Sequence, residues 1–64
     1  MNKGVVKFFK EDKGYGFITN AQTGQDIFFH VSDTKDQLFQ NDEVVYEETR
    51  GKKGLQAINV KLDR

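Results

Sequence analysis

The sequence contains no cysteine, proline or tryptophan, and its 64 residues include one histidine and one methionine. Without cysteine a disulfide framework and a thiolate metal site are both excluded, and the absence fits a cytoplasmic setting. His30 is the lone imidazole, so carboxylates alone would have to complete any transition-metal site. No metal and no other cofactor are expected. No apolar run approaches the ~18 residues of a membrane-spanning helix, and the N-terminus shows no signal-peptide pattern. A soluble chain without a membrane partner is expected. At this length it forms a single domain, residues 1–64, with room for a modest core only.

Positive charge is also short, since ten Lys and Arg balance ten Asp and Glu. Its distribution is uneven. Residues 1–20 carry Lys3, Lys7, Lys10 and Lys13 against Glu11 and Asp12, a surplus of +2. From Asp26 to Glu48, seven acids face Lys35 alone, giving −6. From Arg50 onward, Arg50, Lys52, Lys53, Lys61 and Arg64 against Asp63 give +4. Two basic ends enclose an acidic centre. A fold that brings the ends together makes a local positive patch on a neutral molecule.

Aromatic residues are plentiful by contrast: six Phe and two Tyr. They concentrate in Lys13-Gly14-Tyr15-Gly16-Phe17-Ile18 and Asp26-Ile27-Phe28-Phe29-His30. In extended chain, residues two apart share a face. Tyr15 and Phe17 therefore point one way, as do Phe28 and His30, while Ile18, Ile27 and Phe29 point the other. Paired as a hairpin, the two segments gather four flat rings with Lys13 at the margin. Ring faces for bases and cations for phosphates are the requirements of a single-stranded nucleic-acid surface. Burial of all the rings in a core is the competing reading, but the opposite parity already supplies apolar residues for that purpose.

Taken in order, the chain predicts five short strands, none interrupted by proline. The first runs from Lys3 to Lys10, where paired apolar residues break the alternation; a twist or a bulge, at a position the sequence does not fix, would let both Phe8 and Phe9 approach the same surface. After a turn at Gly14, the second runs from about Tyr15 to Thr19, with Gly16 keeping space open beside the rings. After a turn at Gly24, the third covers Asp26 to Val31. Ser32 to Asn41 is expected to be a loop with one helical turn capped by Ser32 or Asp33, with Leu38 or Phe39 returning to the core and Asn41 left-handed. The fourth strand spans about Glu43 to Thr49, with Val44, Tyr46 and Glu48 on one face and Tyr46 in the core. The fifth follows Gly54, with Ile58, Val60 and Leu62 inward and Ala57, Asn59 and Lys61 outward. The fold class is all-β, a small five-stranded antiparallel barrel, which removes exposed strand edges.

The two aromatic motifs, the opening Gly4-Val5-Val6-Lys7-Phe8-Phe9 and the closing Lys53-Gly54-Leu55-Gln56-Ala57-Ile58-Asn59-Val60 resemble, in order, those of the bacterial cold-shock proteins. The resemblance covers nearly the whole chain. It implies the OB-fold form of the barrel and binding of single-stranded RNA or DNA with low sequence selectivity. It also implies a role in disfavouring RNA secondary structure, often during cold adaptation. Carried over position by position, it assigns base stacking to Phe8, Phe17, Phe28 and His30, with Tyr15 and Phe9 on the same surface. Lys7 and Lys13 serve the backbone or base edges, Asp26 accepts from a base or caps the turn, and Lys53 is a cation from the last loop.

Some positions depart from the family pattern. Phe8 stands where Trp is usual, Lys10 where Asn is frequent, Val31 where many members have Phe, and Leu55 where Pro is frequent. The segment between His30 and Val44 is short and lacks a Gly-rich stretch with an exposed Phe; Phe39 is expected to be core or half-buried. At ~1–3 kcal/mol per stacked base, losing one or two platforms weakens binding about tenfold to more than a hundredfold. No nucleophile accompanies Glu11-Asp12 or Glu47-Glu48, so an enzyme is not expected. A protein-interaction module on the same scaffold is the alternative, supported by zero net charge and the acidic centre. Monomer is the expected state, with weak self-association through exposed rings.

Overall fold

The computed structural model describes residues 1–51 and 54–63. Five strands, β1 (Asn2–Lys10), β2 (Tyr15–Asn20), β3 (Asp26–His30), β4 (Glu43–Gly51) and β5 (Gly54–Leu62), close into a barrel in the order β1-β2-β3-β5-β4. Antiparallel pairing joins β1 to β2, β2 to β3, β4 to β5 and β4 to β1. The barrel closes through a short parallel contact, Phe28 opposite Gln56 and Phe29 opposite Ala57. The expected five-stranded barrel is present, but its pairing is therefore not wholly antiparallel. β3 and β5 run the same way because two reversals of direction, into β4 and into β5, separate them.

Alternation in β2 and β3 sorts side chains as expected. Ile18, Ile27 and Phe29 are buried with Val6, Leu38, Val44, Tyr46, Ala57 and Val60. Gly14 (φ +77°) donates to the Lys10 carbonyl at 2.8 Å and closes the first hairpin. Asn20 closes the second: its Oδ1 accepts from the Gln22 and Thr23 amides, and its Nδ2 donates to the buried Tyr46 hydroxyl at 3.0 Å. One side chain thus ties a surface turn to the core. Tyr46 is in the core as expected.

The structure places the irregularity of β1 as a bulge at Lys7, between Val6 (opposite Ile18) and Phe8 (opposite Phe17), and corrects several expectations. The extra residue inverts the phase, so Phe8 turns outward and Phe9 packs on Phe29 with ring centroids 5.5 Å apart. Phe9 belongs to the core side and not to the surface shared by Phe8. In β5 Val60 is buried and Leu62 packs half-buried against the core as expected, but Ala57 is buried where an outward residue is expected, and Ile58 is only half-buried. A second bulge causes this: β5 advances three residues, Lys61 to Ile58, while β4 advances two, and Asn59 takes φ +52°. Gly16 keeps space on the inner face instead of beside the outer rings, since a Cβ there would lie 2.7 Å from Phe29 Cζ.

The segment after β3 also differs. Val31 begins a 3-10 turn, Val31–Asp33, and its cap is His30, whose side chain accepts from the Ser32 amide. Ser32 and Asp33 lie inside the turn. Leu38 is buried as a plug, whereas Phe39 is 60% exposed, and Glu48 is exposed too. Asn41 is left-handed (φ +72°), and its amide donates to the Val6 carbonyl at 2.8 Å. The loop is therefore stitched to β1 beside the bulge.

Candidate nucleic-acid interface

Register, more than local sequence, assembles the outer face. Phe8 lies opposite Phe17, Phe17 opposite Phe28, and Phe28 opposite Gln56. These four form one row across β1, β2, β3 and β5. A second row, Lys10–Tyr15–His30, runs beside it. Phe8 and Phe17 centroids are 5.3 Å apart; Phe17 and Phe28 meet edge-to-face at 5.9 Å. Tyr15 and Phe28 stack at 5.9 Å with planes 21° apart. Phe8, Tyr15, Phe17 and Phe28 are half-buried, each ring in contact with its neighbours.

The margins are polar. Lys13 lines a hollow with Tyr15, Phe17, Phe28 and His30. Lys10 is exposed beside Tyr15. Lys7, carried out by the bulge, places Nζ 2.8 Å from Asp26 Oδ2, and Thr19 donates to Asp26 Oδ1 at 3.0 Å. The Lys7 hydrogen bond first, and that of Thr19 second, hold the Asp26 carboxyl below its usual range, against a smaller opposing desolvation. Lys7 is thus engaged within the protein, and a phosphate would compete with Asp26 for it.

His30 has a defined hydrogen-bonding state. The Ser32 amide donates to its Nδ1 at 3.1 Å, and the Ser32 hydroxyl lies 2.8 Å from the same nitrogen. A backbone N–H can only donate, so Nδ1 accepts and the ring proton of the neutral imidazole resides on Nε2. Nε2 lies on the Gly14 side of the ring, 4.0 Å from where a Cβ would stand on that glycine.

Of the residues singled out from sequence, Phe8, Tyr15, Phe17, Phe28 and His30 come together on one face, with Lys7, Lys10, Lys13 and Asp26 at its edges. Phe9 does not join them. Lys53 lies outside the described residues. Sequence reading missed a cleft beside Phe28, lined also by His30, Ser32, Asp33, Leu55 and Gln56. Gln56 enters through the parallel β3–β5 register, for which no local sequence signal exists. Among the described residues, no group of three His, Cys, Asp or Glu side chains is gathered to hold a metal.

The model of the 'Cold-shock' DNA-binding domain matches residues 2–62 of this chain. The chain belongs to that family. Among its relatives, the cold shock-like protein CspG of Shewanella violacea is 46% identical over 61 residues, covering 89% of this chain and 87% of the relative. The major cold shock protein of Micrococcus luteus is 44% identical over 64 residues, covering 94% and 96%. In three dimensions the barrel is similar to the Drosophila Unr CSD456 structure, with a TM-score of 0.81 at 27% identity. That superposition covers 98% of this chain and 26% of the longer Unr chain. This cold-shock domain thus carries the family's barrel with its own aromatic row.

Proposed function

We propose that this cold-shock domain binds single-stranded RNA or DNA with low sequence selectivity and disfavours RNA secondary structure, acting as a monomer in the cytoplasm. Membership of a DNA-binding domain family supports nucleic-acid binding in general. The observation that carries the finer reading is the separation of two ring sets. Phe29 and Phe9 serve the core, while Phe8, Tyr15, Phe17 and Phe28 form a continuous half-exposed surface that the core does not use. A row of ring faces accepts any base, because every base has a π-face. Duplex bases are already stacked and paired, so the surface takes single strands and melts duplex by population shift without ATP. No step of bond chemistry is involved.

In this reading Phe8, Phe17, Phe28 and His30 stack bases, with Tyr15 supporting Phe28. Lys10 and Lys13 neutralise phosphates, and Lys7 does so in exchange for Asp26, which then accepts from a base. Lys53 adds charge from its loop. With Val31 in place of a ring and Phe8 in place of an indole, the stacking surface is reduced. The test is titration with oligo-dT and oligo-U at two salt concentrations, following aromatic ring NMR signals. Saturable, salt-weakened shifts at Phe8, Phe17, Phe28 and His30 are expected. An absence of shifts at millimolar oligonucleotide refutes the reading and turns attention to a protein partner for the acidic centre.

A further inference from the structure

β4 outruns its neighbour on one side. Its pairing with β1 extends from Val5–Glu43 to Asn2–Tyr46, where β1 begins. β4 continues to Gly51, held on its other side by β5 through Glu47–Ile58, Glu48–Ala57, Thr49–Gln56, Arg50–Leu55 and Gly51–Gly54. Glu47 to Gly51 thus form half of a two-stranded ribbon that passes the end of β1. Among the described residues nothing pairs with their outer edge, and Glu47, Glu48, Thr49 and Arg50 are exposed. An open row of backbone N–H and C=O groups is a template for another strand. No proline blocks it, and the irregularity of the β4–β5 pairing lies before Glu47.

Charge selects which strand fits. When two copies of one strand pair antiparallel about a two-fold axis, facing residues lie on the same side of the sheet, so the pairing is centred on a residue that faces itself. Centring on Glu48 sets two carboxylates face to face, and centring on Arg50 sets two guanidiniums face to face. Like charges directly opposite are unfavourable. Centring on Thr49 places Glu48 of each copy opposite Arg50 of the other, on either side of a Thr–Thr pair. Glu47 then falls opposite Gly51 and meets no charge; its Oε2 already accepts from Asn59 Nδ2 at 2.7 Å.

We propose that the open edge Glu47–Gly51 is a self-association surface whose partner is a second copy of this chain, paired antiparallel about Thr49. Five residues make about 17 Å of edge, well short of the about 1,200 Å² of a stable interface, so the pairing is weak and concentration-dependent. A dilute chain is a monomer with its whole aromatic face. Those rings are on β1, β2 and β3 and none is on the paired strand, so a pair presents two aromatic faces. The pairing does not depend on the nucleic-acid reading.

The test is a concentration series of the full chain at low salt, from micromolar to millimolar, followed by sedimentation velocity and backbone amide NMR. The sedimentation coefficient should rise, with shifts confined to the amides of residues 47–51, and added salt should weaken both. Arg50→Glu and Glu48→Arg each set like charges opposite one another at both ionic pairs, and should weaken association about tenfold or more. An equimolar mixture of the two variants should associate again, because an edge with two cations then faces an edge with two carboxylates. The wild-type shift map holds whatever the variants' stability. A chain that stays monomeric at millimolar concentration overturns the proposal, as do shifts centred on Phe8, Tyr15, Phe17 and Phe28. A mixture of folded variants no more associated than its components also overturns it, as do edge shifts that appear only with added oligolysine.

Discussion

Phe17 sits at the middle of the aromatic row, with Phe8 5.3 Å to one side and Phe28 5.9 Å to the other. Replacing it with alanine removes one stacking platform, which is worth ~1–3 kcal/mol and predicts an affinity loss of about five- to 150-fold. The same change also affects folding. Half-burial of a Phe side chain contributes ~1 kcal/mol, and its three ring pairs, with Phe8, Tyr15 and Phe28, add ~0.5–1.5 kcal/mol each. Against a total stability of ~3–10 kcal/mol for a domain of this size, that loss is large. Phe17→Leu separates the two effects because it keeps most of the apolar volume and discards the flat face. Its urea midpoint should fall less than that of Phe17→Ala, because only the ring pairs are lost and the apolar burial is kept, while its affinity for a labelled oligo-dT, read by fluorescence anisotropy at ~15 °C near maximal stability, falls almost as far as that of Phe17→Ala. A folded Phe17→Leu that binds within twofold of wild type would refute the stacking argument.

Lys13→Gln should flatten the plot of log affinity against log salt by about 0.7, the share of one phosphate contact on a single strand, with little change in stability. Gly16→Ala places a Cβ 2.5 Å from the Phe8 carbonyl oxygen and 2.7 Å from Phe29 Cζ; overpacking of this kind costs about 1–3 kcal/mol and should lower the urea midpoint. Tyr46 titrates above the ordinary phenol value of 10.0, because of desolvation first and against the opposing Asn20 hydrogen bond. The folded chain therefore retains a proton that the unfolded chain releases, so this contribution is complete below pH ~10 and is lost as pH rises. Tyr46→Phe should blunt that alkaline loss in pH-dependent unfolding. At neutral pH the same variant strands Asn20 Nδ2 and should cost about 1–2 kcal/mol.

How much of this could be read beforehand depends on the range of the interaction involved. The hairpin of β2 and β3 was legible because strict alternation and two glycine turns are local properties. The five-stranded barrel and the positions of Tyr46, Leu38 and Asn41 followed from the same kind of signal. The location of the first bulge did not, because Val5, Val6, Phe8 and Phe9 fit either phase until a partner strand is specified. The side of Phe9 was misjudged for that reason. In β5 the pattern Ile58, Val60, Leu62 is a convincing inner face, yet Asn59 bonds Glu47 at 2.7 Å and bends the strand through a left-handed residue. Phe39, expected in the core or half-buried as a lone aromatic beside Leu38, is exposed while Leu38 alone is buried. At the site, ring parity revealed the aromatic face, but Gln56 and Asp33 come together across 23 residues through a parallel register that no local pattern encodes.

The bulge at Lys7 has a consequence for how this sequence tolerates change in length. Losing one residue from a strand ordinarily exchanges its two faces and turns the core outward. β1 is an exception at a single position. With Lys7 excised, Val6, Phe8 and Phe9 fall into plain alternation, inward, outward and inward, which are the orientations they already have. The strand would shorten without rephasing, and the molecule would lose a cation but keep its rings. Charge and pleat are thus separately heritable here: a deletion can trim the electrostatics of the face while leaving the barrel's wallpaper pattern unbroken.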